Sequence, residues 1–390
     1  LEGKNTLTSG NQCAGLEHNG KDYYGNNNGK LTITSKKDEA GKDTGSLTAT
    51  GGGGSAGIGS GWFGTYYGAG TIEITGGDIK ATGGNNAAGI GSGDDSTGTT
   101  TINIKGGTIK EAIGGDGGAG IGGGSGSKNI TVNIEGGTIE TAQGGQGHGS
   151  YDGGSGIHSD GDLTISGNAH IVNAIGGNGD SSNSRSDAGD GIRAGTLTIS
   201  GEAHIDNATG GTADSGSAGD GIYSTGKLTI KDNAKIGTAK GGGATARDKD
   251  GGCGIRNHGQ FTMSGGTITN AVGGTSTGRD GGDGIYCGDT LTIEGGEIKQ
   301  TTGGEATGDG GYGIRSDGDL KIEGGTIGSL TTDDNGKQIP APTTGALGGN
   351  AATGEQGGHG IYSKGQLFIS DGANIINAKG GDATGEDSTG

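Results

Sequence analysis

Seven residues at one register of a repeated segment carry the most recognisable chemistry in this chain. His158, Arg193, Tyr223, Arg256, Tyr286, Arg315 and Tyr362 each follow directly after a Gly-Ile dipeptide. Guanidinium groups alternating with phenol rings can stack by cation–π attraction and still offer their edges to a polar ligand. Such a strip is either a stabilising ladder or a recognition surface. Two positions before each isoleucine stand Asp190, Asp220 and Asp283, with Cys253 and His359 elsewhere in the same column. If Asp190 and Asp220 face each other in neighbouring repeats, their repulsion is relieved either by calcium in a shell of oxygen ligands or by ion pairs to Arg193. Calcium is the only cofactor this pattern suggests, and the strict Gly-Gly-x-Gly-x-Asp array of calcium-binding solenoids does not occur.

Aromatic residues make up only 3% of the chain, yet Tyr23, Tyr24, Trp62, Phe63, Tyr66 and Tyr67 fall at one place in two consecutive repeats. Their rings would stack on sugar faces, or would cover an open end of a repeat core. Catalysis is less well supplied. A hydrolase needs carboxylates paired across a groove, and a polysaccharide lyase could use Asp190 and Asp220 to hold calcium with Arg193 as base. The tripeptides Gly147-His148-Gly149 and Gly358-His359-Gly360 are similar to an element of polygalacturonases, but a glycine-rich chain produces such tripeptides by chance. A non-enzymatic role is expected. An ice-binding face is disfavoured as well, because the column Thr198, Thr229, Thr262 and Thr292 is broken by Lys321 and Phe368.

Composition narrows the rest. Of 390 residues, 104 are Gly and 2 are Pro, and only 26% are hydrophobic, too few for an ordinary globular interior. A net charge of −18 argues against nucleic acid and anionic membranes as partners. No apolar run approaches a membrane span. Cys13, Cys253 and Cys287 are too irregularly spaced for a disulfide scaffold or a zinc site.

These residues need elements to position them, and internal periodicity supplies the elements. An apolar residue preceded by Gly recurs at Leu16, Ile58, Ile90, Ile121, Ile157, Ile192, Ile222, Ile255, Ile285, Ile314 and Ile361. An apolar-polar-apolar triplet follows each, for example Leu163-Thr164-Ile165 or Leu228-Thr229-Ile230, and period two predicts a strand. A third apolar position follows from Leu47 and Ile79 through to Ile375. Three short strands per coil, stacked at roughly 4.8 Å, predict an all-β fold: a right-handed parallel β-helix of about eleven coils. Gly doublets such as Gly176-Gly177 and Gly210-Gly211 are expected at corners where φ is positive or backbones approach closely. Asn173, Asn207, Asn270 and Asn377 share one register and predict a partial Asn ladder. Length varies mainly in 143–156, 175–191, 209–221, 240–254 and 331–360, so these loops line one edge, and 331–360 reads as a long insertion.

The segments Ala56-Gly57-Ile58-Gly59-Ser60-Gly61, Ala88-Gly89-Ile90-Gly91-Ser92-Gly93 and Ala119-Gly120-Ile121-Gly122-Gly123-Gly124 each precede a Thr-Ile-x-Ile or Thr-Val-x-Ile strand and a Gly-Gly-x-Ile turn. In this they resemble the Gly-rich repeats of large bacterial surface proteins. That resemblance implies a carbohydrate-binding β-helix or adhesin region, outside the cell and on its surface, within a longer repeat protein. The expected function is a monomeric binding module for a glycan or a host surface protein. A structural stalk is the first alternative, and a lyase or hydrolase the second.

Overall fold

The computed structural model describes residues 1–21, 29–62, 68–181, 186–333, 337–352 and 355–383. Strand-forming triplets too short to bury a face alone are stabilised by the coil above and the coil below. The described residues are all-β, with parallel strands wound into a β-solenoid of about ten turns. Its register is that of the repeat. Leu16 pairs with Ile58, Ile58 with Ile90, and the column continues through Ile121, Ile157 and Ile192 to Ile361. The second strands stack likewise, Leu197 between Leu163 and Leu228, and the third strands set Ile205 between Ile171 and Ile236.

Alternation along each strand sends one face inward. In Ile192–Ile199 the residues Ile192, Leu197 and Ile199 are fully buried, whereas Arg193 points out. Beside the isoleucines runs a column of buried alanines, Ala174, Ala208, Ala239 and Ala271 among them. Small and branched side chains therefore fill a narrow interior without aromatic bulk; Phe261 is an exception.

The Gly doublets act through close approach. Had Gly242 a Cβ, it would lie 1.8 Å from Gly211 O, and the second glycines of the doublets repeat this contact from Gly84 to Gly381. A second glycine column, just before the first strands, has the same spacing: a Cβ on Gly219 would meet Gly189 O at 1.9 Å. The two columns are knitted together. Gly211 N donates to Gly189 O, Gly219 N to Gly211 O, Gly242 N to Gly219 O, Gly252 N to Gly242 O and Gly274 N to Gly252 O, all at 2.7–3.0 Å. The chain leaving each third strand is thereby bonded to the chain entering the next first strand. Each intervening loop hangs outside this glycine seam.

The insertion differs from its expected bounds of 331–360. Thr326–Ile327 begins a third strand, an antiparallel pair of Leu330–Thr332 with Gln338–Pro340 leaves the coil, and Gly345–Leu347 returns to complete the strand against Gln300–Thr302. The strand is interrupted directly after Ile327, at Gly328, whose φ is +94°. Residues from Gly348 onward form the ordinary loop of that coil. Of the expected Asn ladder, Asn207 Nδ2 lies 3.3 Å from Asn173 Oδ1, and Thr238 then breaks the row.

Candidate functional site: an arginine–tyrosine trough

The residue after each first-strand isoleucine does stack into a column: His158, Arg193, Tyr223, Arg256, Tyr286, Arg315 and Tyr362 are successive cross-strand partners. The Arg193 guanidinium carbon lies 4.4 Å from the Tyr223 ring centre. Arg256 and Arg315 both lie 5.3 Å from the Tyr286 ring centre, one on each side in the column. His258 sits edge-on to Tyr223 and Tyr286, at 5.5 and 6.0 Å. At the carboxy-terminal end Tyr312, His359 and Tyr362 stack on one another, with centres 5.1–5.6 Å apart.

Beside the ladder runs the aspartate column, nearly buried. Each carboxylate reaches one coil onward: Asp190 Oδ1 accepts from Asp220 N at 2.7 Å, Asp220 Oδ1 from Cys253 N at 2.5 Å, and Asp283 Oδ1 from Tyr312 N at 2.7 Å. The other oxygens of Asp190 and Asp220 serve the ladder. Arg193 Nη1 donates to Asp190 Oδ2 at 2.9 Å and Arg256 Nε to Asp220 Oδ2 at 2.8 Å. Asp317 takes Arg315 Nε at 2.9 Å and the Tyr286 hydroxyl at 3.1 Å. The Asp190–Asp220 pair named as a calcium candidate is thus placed with each carboxylate bridging a backbone N–H and a guanidinium.

This placement sets the electrostatics. Burial raises the Asp190 carboxyl to about 6, with the neighbouring Asp220 charge adding and Arg193 opposing. Burial likewise raises Asp283 to about 6. It lowers His158 to about 4, helped by the Arg193 charge. The Cys253 thiol is pushed far up by burial, and Cys287 rises for the same reason. All three cysteines are free, and Cys13 is exposed.

Ladder and loops enclose a trough. Its first cavity, about 700 Å³, lies between Tyr151–Ser155 on the loop side and His158 and Arg193 on the ladder side. A second of about 490 Å³ shares Asp187, Asp190 and Arg193 with the first and continues past Tyr223 and His258 to Arg256. A third of about 420 Å³ shares Asp250, Arg256 and Arg279 with the second and ends at Tyr312 and Arg315. Glycines and the aspartate column form the floor, and residues of the variable loops form the far wall.

No protein-family model matches the chain, and comparison with curated proteins and with solved structures finds no match. Its trough has to be understood from its own geometry. Among the described residues no helix is long and apolar enough to cross a membrane.

The aromatic group at the amino-terminal end is placed only in part. Tyr23, Tyr24, Phe63, Tyr66 and Tyr67 lie outside the described residues. Trp62 is described: it is 40% exposed, its backbone N–H donates to Ser55 Oγ at 2.9 Å, and its ring lies over Gly54. Two ladder participants escaped the sequence reading. Tyr312 stands two positions before Ile314, in the column of Asp283 and His359, and that offset was the available signal. His258 follows Ile255 by three, and only the coil geometry tips it between two tyrosines.

Proposed function

We propose that this chain is a non-enzymatic glycan-binding module of a bacterial surface protein, monomeric, extracellular and engaging its ligand along the arginine–tyrosine trough. The observation that carries this reading is the row of three adjoining cavities that share walls along the ladder. A row of this kind suits a linear chain of sugar units better than a compact small molecule. With their faces engaged along the ladder, the half-buried tyrosine and histidine rings offer their edges and polar tips, and the flanking aspartates, arginines and Lys249 offer hydrogen bonds to hydroxyl groups. The resemblance of the Gly-rich repeats to bacterial surface proteins supports the location.

A glycan array probed with the wild type and with a Tyr223→Ala/Tyr286→Ala variant tests the reading. The expected result is at least one oligosaccharide hit, weakened about tenfold or more by loss of two ring contacts. A specific observation favours the stalk as second reading: the ladder arginines and their aspartates already satisfy one another in ion pairs within the chain. A wild-type array without hits would favour the stalk. Release of reducing or unsaturated ends from a bound polysaccharide would favour an enzyme.

A further inference from the structure

His170 and His204 open the third strands of two consecutive coils, His170–Ile175 and His204–Thr209, and are register partners. They stand at the end of those strands away from the loops that wall the trough. Strand alternation turns Ile171 and Ile205 into the core and leaves both imidazoles part-exposed outside. The rings stack, 5.3 Å between centres and 17° between planes. Asp206 presents one oxygen to each: Oδ2 lies 2.9 Å from His170 Nε2, and Oδ1 lies 3.2 Å from His204 Nε2. The three side chains place one ligand atom each within 4.8 Å of one another, and among the described residues no other group of three His, Cys, Asp or Glu does so. Their column neighbours, Thr138 on one side and Lys235 on the other, bring no imidazole, which confines the group to one pair of coils.

We propose that His170, His204 and Asp206 form a zinc(II) site that joins these two coils on their outer face. Zinc binds imidazole nitrogen and carboxylate oxygen at about 2.0–2.2 Å, and three protein ligands with water in the fourth position is a common arrangement. Tetrahedral angles at that bond length separate neighbouring ligand atoms by about 3.3 Å; the two nitrogen–oxygen contacts, 2.9 and 3.2 Å, are already near it, and all three ligand atoms lie within 4.8 Å of one another, so rotation of these part-exposed side chains brings them into one shell. In the metal-free group a ring N–H can hydrogen-bond to Asp206. On binding, each neutral ring carries its proton on Nδ1 and offers Nε2 to the metal. Calcium and magnesium prefer all-oxygen shells and are not expected to compete. This site does not depend on the trough's reading.

Isothermal titration of untagged protein with zinc chloride tests the proposal. One zinc per chain is expected, with no comparable heat from magnesium or calcium. His204→Gln and Asp206→Asn should each weaken binding at least about tenfold, whereas His148→Gln, in a trough-side loop, should leave it unchanged. Cobalt(II) gives a second readout, the intense visible absorption of a four-coordinate centre, which His204→Gln should abolish. Both variants change part-exposed side chains, and far-UV circular dichroism reports whether the solenoid is retained. Zinc binding that persists undiminished in either folded variant, or a folded wild type that takes up no zinc, overturns the proposal.

Discussion

Replacing Gly242 by alanine should damage this protein far more than replacing its neighbour Gly243. The added Cβ at Gly242 would lie 1.8 Å from Gly211 O and 2.6 Å from Gly211 C, where ordinary contact begins at 3.4 Å. The backbone would have to separate by about 1.6 Å across a strand step of roughly 4.8 Å. Gly242 N donates to Gly219 O at 2.8 Å, and Gly242 O accepts from Gly252 N at 3.0 Å, so such a shift breaks two links of the glycine seam. Two lost hydrogen bonds of about 1 kcal/mol each, with at least one buried group left unpaired at about 1–3 kcal/mol, put the loss at roughly 3–5 kcal/mol. At Gly243 the nearest atom to an added Cβ is Thr275 O at 3.5 Å, an ordinary contact. There alanine mainly restricts the unfolded chain, and stability should stay level or rise by about 0.4–1 kcal/mol. Urea melts followed by circular dichroism compare the two. Repeat arrays depart from two-state unfolding, so the midpoint shift is the quantity to read. Equal midpoints for Gly242→Ala and Gly243→Ala would refute the claim that contact between backbones dictates this glycine.

Acid should expose opposed buried groups. The His158 ring is held neutral to about pH 4 in the fold, while an unfolded imidazole takes its proton near 6.5. Its contribution is therefore complete above 6.5 and lost as pH falls toward 4. Asp190 and Asp283, raised to about 6 from 3.8, act in the other sense, favouring the fold as pH drops from 6 toward 4. Relative to wild type, His158→Gln should gain melting temperature at pH 4.5 compared with pH 7.5, and Asp283→Asn should lose it; parallel pH curves for wild type and both variants would contradict the assignment. A thiol-reactive disulfide reagent should label about one cysteine of the native protein, Cys13, because burial withholds Cys253 and Cys287. Denaturant should release the other two, and three rapid equivalents in the folded state would count against this packing.

The columns were legible because one isoleucine per strand, repeated at near-constant spacing, can satisfy burial only by stacking. Ile205 and Ile222 were assigned to the core on that ground, and both are fully buried. The outward ladder was equally legible, since alternation fixes the side on which Arg193 and Tyr223 emerge. Three features were not. The doublet glycines look alike in sequence whether they serve a positive φ or a close approach, and only the position of Gly211 O above Gly242 tells which. The hairpin inside the third strand was hidden because Thr326 and Ala346 belong to one strand broken by distant residues. His170 and His204 each precede the third-strand isoleucine, a coincidence that spacing could have revealed, but Asp206 joins them only through the coil geometry.

The seam of bonded glycines fences the loops off from the cylinder that bears the structure. Between Gly177 and Gly189, or between Gly242 and Gly252, the chain begins and ends on backbone links that read no side chain. The loops keep a short stack of their own, Ala213 on Ala244 and Ala244 on Ser276, and their exposed residues can change while the stacked isoleucines keep their places. The exposed residues of that one wall can thus differ from coil to coil without renegotiating the fold.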